Sequence, residues 1–287
     1  MPESITVRTT TLLLCILLIC IGELPAQAQD KSGAIVHAGH SHNDYRQKRP
    51  LRAALNYGYR SVEADIFYSG GRFHVAHIWT GQWRMRSLES LYLKPLKNAV
   101  EKKSQPVFAQ DKHTFELLID LKGQWNPERL AALEALLDQY KSLLCRIEDG
   151  DYVRGPVRVI LTGNMNMAWL DLEEKDRNYF VDGHIKSLGS ALDSTIYGRH
   201  SGPYGEYFSW QGEGEIPIED FKTLESLCAL ARVHDRKLRF WACPEEEAIW
   251  QSLMDAGVYW IQVDDLKRFR DFYLKYSAQP GREYPRD

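Results

Sequence analysis

Two short apolar runs in this chain end on charged residues separated by one position, Glu63-Ala64-Asp65 and Asp120-Leu121-Lys122. In an extended strand, side chains alternate between faces, so positions i and i+2 look the same way. Glu63 and Asp65 therefore share one face while Val62, Ala64 and Ile66 take the other, and Asp120 and Lys122 repeat the arrangement. Charged residues rarely end buried strands unless a bound cation or an ion pair compensates them. His42 precedes the first pair and His77 follows it, and together these residues suggest a metal-dependent site.

The wider pattern alternates short strands with amphipathic helices, which points to a parallel sheet covered by helices. Strands are expected at Ala34–Ala38, Tyr59–Phe67, Phe73–His77, Thr114–Leu121, Val157–Thr162, Leu238–Ala242 and Tyr259–Val263. Helices are expected at Pro50–Tyr57, Leu88–Lys102, Pro127–Leu144, Ile218–Asp235, Glu245–Asp255 and Asp264–Tyr276. The stretch from about Asn164 to Glu215 is the least regular and should hold two short strands with long loops.

Thr9 to Ile21 is a nearly unbroken apolar run, followed by the A-x-A pattern Ala26-Gln27-Ala28. This reads as a secretory signal peptide over residues 1–28 and implies export, with a retained N-terminal anchor as the alternative. The remainder, residues 29–287, has about the size of one (β/α)₈ TIM barrel, so a single α/β domain is expected, without a stable membrane span after cleavage. The formal charge of −3 and the lack of a basic block do not suit a nucleic-acid binder. Three cysteines, Cys145, Cys228 and Cys243, would remain after cleavage. An odd number at these spacings is neither a disulfide framework nor a structural zinc site. Oligomeric state is not legible.

In such a barrel, catalytic groups sit at the C-terminal ends of strands. His40-Ser41-His42-Asn43-Asp44-Tyr45, Glu63 with Asp65, His77, and Asp120 with Lys122 all fall at such ends. The stretches HSHNDYRQKRPLRAALNYGYRSVEADI, GGRFHVAH, LLIDLKG and LRFWACPEEEAIWQSLMDAGVYWIQVDDL resemble the glycerophosphodiester phosphodiesterase and phosphatidylinositol phospholipase C-like superfamily. Within it, the resemblance is to the H-N-D-Y branch of fungal "altered inheritance of mitochondria" and bacterial proteins. It implies a TIM barrel that binds one Mg²⁺ or Ca²⁺ and cleaves a small-molecule or lipid phosphodiester with two histidines. Carried over by position, Glu63, Asp65 and Asp120 match the metal carboxylates and Lys122 matches the lysine of the D-L-K triplet. His77 matches the second catalytic histidine and His42 the first, although His40 competes because the H-R-G motif of the glycerophosphodiesterases is missing.

The residues support the same reading without the family. Three carboxylates form a hard oxygen site suited to Mg²⁺ or Ca²⁺. Lys122 would hold a non-bridging oxygen as a point charge. Imidazoles suit proton transfer to and from oxygen near neutrality, and the order of the two is left open. His40, Asn43 and Trp241 are candidate substrate contacts. His74 is expected on the outer face, and Asp264 and Asp265 as caps of the last helix, with a rim role as the alternative. Two rival readings stand beside this one. A zinc amidohydrolase-type barrel would use His40-x-His42 with Asp264 and His184, and an exported binding protein would keep the cation site without turnover.

Overall fold

Eight parallel strands close on themselves in this chain because each is buried on both faces, as parallel strands require. The computed structural model describes residues 33–81, 85–103, 107–108, 113–169, 176–190 and 196–282, and the segment 1–28, expected to be a signal peptide, lies outside them. The barrel strands, in spatial order, are β1 (Val36–Ser41), β2 (Tyr59–Ser69), β5 (Phe115–Leu121), β8 (Val157–Gly163), β9 (Phe180–His184), β10 (Tyr197–Pro203), β11 (Leu238–Trp241) and β12 (Trp260–Val263). Closure is made by β1, which pairs with both β2 and β12; Ser41 lies opposite Val62 on one side and Val263 on the other. This is the TIM-type α/β barrel expected from the alternation.

The covering helices are α1 (Arg52–Asn56), α2 (Lys94–Lys103), α3 (Pro127–Asp138), α4 (Tyr204–Tyr207), α5 (Ile218–Val233), α6 (Glu247–Ala256) and α7 (Leu266–Ser277). Local signals set several of their ends. Asn126 caps α3 by accepting from the Arg129 N–H at 2.9 Å, with Pro127 at the first position. Gly257 ends α6 at φ 93°, the left-handed conformation in which glycine carries no Cβ penalty.

Several boundaries move. The expected Phe73–His77 strand is β3 (Arg72–Val75), which folds back antiparallel on β2 as a hairpin instead of joining the barrel, and β4 (Arg86–Ser87) extends it. The Gly70-Gly71 turn, with both residues at positive φ, makes that reversal. The helix expected over Pro127–Leu144 stops at Asp138, and a short 3₁₀ turn follows at Lys141–Leu143. A small hairpin of β6 (Arg146–Glu148) and β7 (Asp151–Val153) was not anticipated, although its Asp149-Gly150 turn, at φ 54° and 81°, is the usual signal. His74 is buried rather than outward, with Nε2 3.1 Å from the Ser69 carbonyl and its ring edge-on to Trp79. The irregular middle holds the two expected strands, β9 and β10.

Alternation sorts the residues of each strand. Val62, Ala64 and Ile66 are fully buried in the layer beneath the helices. Ser61, Glu63 and Asp65 turn into the barrel, where the filling is partly ionic. Fully buried Arg199 donates through Nη2 to Ser61 Oγ (3.0 Å) and Glu116 Oε2 (2.6 Å), and Lys237 lies 3.5 Å from Glu116. The Arg199 guanidinium also lies 5.5 Å from the Trp260 ring centre.

The loop leaving β1 is clasped by Asp44. Its carboxylate accepts from Ser41 Oγ (2.9 Å), the Leu51 N–H (2.5 Å) and Tyr92 Oη (3.0 Å), and it holds Leu51 at φ 57°. Burial pushes the Asp44 carboxyl up to about 6 despite these donors. The folded chain then keeps a proton that the unfolded chain, with an ordinary aspartate near pKa 4, has released, so stability falls as pH rises from about 4 to about 6. In urea titrations across this window, Asp44→Asn is expected to flatten the fall by up to about 3 kcal/mol. Identical slopes for both proteins would show Asp44 ionised throughout. Asp44→Ala orphans the Leu51 and Tyr92 donors and is expected to cost about 2–4 kcal/mol at pH 7.

Candidate active site

The C-terminal ends of β1, β2, β5, β8, β11 and β12 surround a cavity of about 450 Å³. His42, Asn43, Glu63, His77, Asp120, Lys122 and Trp241 line it, with Thr162, Gly163, Arg239, Ala242 and Gln262. The strand ends therefore bring together the residues that the sequence placed there.

Glu63, Asp65 and Asp120 each offer a ligand oxygen, and the three oxygens lie within 4.8 Å of one another. The i, i+2 spacing puts Glu63 and Asp65 on one face, and pairing of β2 with β5 sets Asp65 directly opposite Asp120. Cations anchor one oxygen of each carboxylate. Arg239 Nη2 donates to Glu63 Oε2 at 2.8 Å, and Lys122 Nζ donates to Asp120 Oδ2 at 2.6 Å while lying 3.5 Å from Asp65 Oδ2. The remaining oxygens of the two aspartates, Asp65 Oδ1 and Asp120 Oδ1, are buried with no hydrogen-bond partner among the described residues. Unpartnered buried carboxylate oxygens are costly, and a hard divalent cation among three carboxylates would satisfy them. The residues present fit such an ion. Three carboxylates face two fixed cations, which leaves room for further positive charge.

Crowding is visible in the proton affinities. Burial raises the Asp65 carboxyl above the usual carboxylate range, and the charges of Glu63 and Asp120 add to the rise. Burial also raises Asp120, with Lys122 opposing it. Lys122 itself sits above its ordinary value because Asp120 and Asp65 outweigh its partial burial.

Gly163 closes the floor of the cavity. It has φ +88°, and a Cβ there would collide with Asp120 Oδ1 and the Leu121 backbone, so only glycine lets β8 approach the carboxylate this closely.

Each cavity imidazole rests on a carboxylate. His77 Nδ1 lies 2.9 Å from Asp65 Oδ2, and its side chain is 53% exposed. His42 Nδ1 lies 2.9 Å from Asp264 Oδ1, and its Nε2 is 4.0 Å from Glu63 Oε1 and 2.9 Å from Asn43 Nδ2. Partial burial opposes protonation of His42, but Asp264 and Glu63 outweigh it and hold the ring above the ordinary imidazole value. Tyr45 Oη lies 2.6 Å from Asn43 Oδ1 and 2.9 Å from Asp65 Oδ2, within reach to donate its one proton to either, and so ties the H-N-D-Y loop to the carboxylate cluster. Asn43 takes φ 45°, a left-handed conformation that asparagine tolerates.

His40 is placed differently from His42. It is wholly buried, with Nδ1 2.7 Å from Ser61 Oγ and Nε2 3.2 Å from Glu63 Oε2. Burial and the charges of Arg239 and Arg199 hold it well below the ordinary imidazole value, so it is a neutral support beneath Glu63 and not a cavity-lining group. His184 does not join the cavity either; its Nδ1 accepts from the Lys186 N–H at 3.1 Å. The His40-x-His42, Asp264 and His184 zinc set is therefore not assembled. Asp264 and Asp265 divide the two roles considered for them. Asp265 caps α7 by accepting from the Arg268 N–H, and Asp264 holds His42.

Arg239 and Gln262 also line the cavity, although neither belongs to a motif that marks the site in the sequence. Arg239 Nη2 also donates to Gln262 Oε1 at 2.8 Å. The signal was present in Leu238-Arg239-Phe240-Trp241, where alternation puts Arg239 on the same face as Trp241.

A family model described as an AIM6-like phosphodiesterase domain matches residues 30–182 of this chain. The match contains His42, Glu63, Asp65, His77, Asp120 and Lys122. Altered inheritance of mitochondria protein 6 homolog of Arthroderma benhamiae is 28% identical over 264 residues, covering 82% of this chain and 83% of that protein. Altered inheritance of mitochondria protein 6 of Eremothecium gossypii is 27% identical over 269 residues, covering 81% and 68%. That of Kluyveromyces lactis is 24% identical over 304 residues, covering 81% and 71%. Together with the closed barrel and the acidic cluster at its mouth, the match over more than half of its length shows that the chain belongs to the AIM6-like phosphodiesterase domain family.

Proposed function

We propose that the protein is an exported, divalent-cation-dependent phosphodiester hydrolase acting on glycerophosphodiester- or phospholipid-like substrates, with His42 and His77 as the proton-transfer pair. The observation that carries this reading is the convergence of Glu63, Asp65 and Asp120 within 4.8 Å, two of them with an uncommitted oxygen. Export is supported by the apolar run and Ala26-Gln27-Ala28 pattern at the N-terminus. Among the described residues no helix is long and apolar enough to cross a membrane.

Glu63, Asp65 and Asp120 would hold one Mg²⁺ or Ca²⁺, which when bound supplies positive charge against the diester and against the charge developing in the transition state. Lys122 and Arg239 present donors to the non-bridging oxygens from beside the carboxylates. Asp264 and Asp65 each engage the Nδ1 of one histidine, so Nε2 is the nitrogen that exchanges protons in both. One imidazole takes the proton of the attacking water or substrate hydroxyl, and the other returns one to the leaving oxygen. Trp241, 44% exposed at the rim, offers an apolar wall for the organic part of the substrate.

A panel of phosphodiesters followed by ³¹P NMR, with Mg²⁺, Ca²⁺, Zn²⁺ or EDTA, tests this directly. Turnover is expected with Mg²⁺ or Ca²⁺ and should be abolished by EDTA. His42→Ala and His77→Ala are each expected to lower kcat by about 10²–10⁴-fold. Zinc-only activity would overturn the Mg²⁺ or Ca²⁺ assignment, and cation binding without turnover of any diester would favour the binding protein.

Cation binding should also register without catalysis. At a free concentration about 100 times its Kd, the preferred ion is expected to stabilise the fold by about 2.7 kcal/mol in thermal unfolding. The gain should vanish in Glu63→Gln and on addition of EDTA. A Tm indifferent to all three ions would remove the proposed cofactor.

A further inference from the structure

A second cavity, of about 480 Å³, lies between α1 and the turn that leads into α2. Four basic side chains line it, Lys48, Arg49, Arg52 and Arg86, with Asn56 and Ser90 as neutral polar neighbours and no acidic residue. Against the expectation of no basic block, the short segment Arg46-Gln47-Lys48-Arg49-Pro50-Leu51-Arg52 carries four basic residues and no acid, a local concentration that the formal net charge of −3 conceals. All four lining cations are exposed, and none is paired with a carboxylate among the described residues.

Nearby acids are committed elsewhere. Asp44 is occupied by Ser41, Leu51 and Tyr92, and Glu89 pairs with Lys94 at 3.2 Å and accepts from Tyr140 Oη. Gathering guanidinium and ammonium groups in one concavity costs repulsion unless an anion occupies it.

The backbone beneath these side chains is fixed. Leu51 is clasped by Asp44, the Ala53 N–H donates to the Arg49 carbonyl at 2.8 Å, and Gln47 Nε2 donates to the Asp264 carbonyl at 2.9 Å. A rigid base lowers the ordering cost of binding. Guanidinium groups present planar pairs of donors that match phosphate oxygens, and the volume is within the range of small-ligand sites.

We propose that this cavity is a binding site for a polyphosphorylated ligand, recognised through two or more phosphate oxyanions by Arg49, Arg52, Arg86 and Lys48. The same chemistry is offered by a soluble polyphosphorylated small molecule and by a polyphosphorylated lipid headgroup. The site is separate from the carboxylate cluster and does not depend on turnover there.

Inorganic pyrophosphate titrated calorimetrically into the full chain, stripped of divalent cations and in chelator-free, phosphate-free buffer, tests it. Saturable binding is expected, weakening as salt rises and by at least about tenfold in Arg49→Gln/Arg52→Gln/Arg86→Gln. These residues are exposed, so the variant should fold, and its Tm checks that. Glu63→Gln should bind pyrophosphate as the unmodified chain does. No binding, equal binding by the triple variant, or loss of binding in Glu63→Gln would each overturn the proposal. Vesicles of phosphatidylcholine with and without phosphatidylinositol 4,5-bisphosphate then separate the two sources. Binding that depends on phosphatidylinositol 4,5-bisphosphate and that pyrophosphate displaces identifies a headgroup, and pyrophosphate binding without vesicle binding identifies a soluble ligand.

Discussion

The site depends on a charge balance inside the barrel. Three carboxylates from β2 and β5 point into one small volume, and among the described residues two fixed cations, Arg239 and Lys122, answer them at close range. Removing charge from water is expensive, and a buried carboxylate persists only with good partners. The arrangement gives one oxygen of each carboxylate to a cation and leaves Asp65 Oδ1 and Asp120 Oδ1 with no hydrogen-bond partner among the described residues. Burial, with the neighbouring carboxylate charge added to it, raises Asp65 and Asp120, and that surplus of negative charge makes the cluster a place for a hard cation.

That balance extends downward through the barrel. His40, neutral and wholly buried, links Glu63 to Ser61, and Ser61 also accepts from Arg199, which pairs with Glu116. Branched aliphatic layers commonly fill barrels of this type; here part of the interior is a connected polar column. Such a network fixes the orientation of Glu63 as long as each member is satisfied. It also separates the two first-strand histidines by depth: two residues along a strand move a side chain by roughly 6–7 Å, enough to take His40 out of the cavity that His42 lines.

The loops carry the remaining geometry. Asp44 locks the turn after β1, so His42 and Asn43 are held on one side of it and the basic segment Lys48–Arg52 on the other. The β3 hairpin folds back beside β2 and returns His77 to the level of Asp65, with the Ala76 N–H donating to the Asp65 carbonyl at 3.1 Å. A strand running the other way would have carried that imidazole away from the mouth.

What was local in the chain was legible in it. Side-chain alternation is a property of each strand alone, so the shared face of Glu63 with Asp65, the pairing of Asp120 with Lys122, and the barrel implied by alternating strands and helices followed from the sequence. The Asp149-Gly150 turn was equally local and was passed over. Strand order, register and depth belong to pairing between distant segments, and these only the tertiary structure decided. It joined Arg239 to Glu63 across 176 positions and Asp264 to His42 across 222. It turned β3 into a hairpin and assigned His40 to the interior. A residue's neighbours across a sheet are set by closure of the whole barrel, and no window of sequence contains that closure.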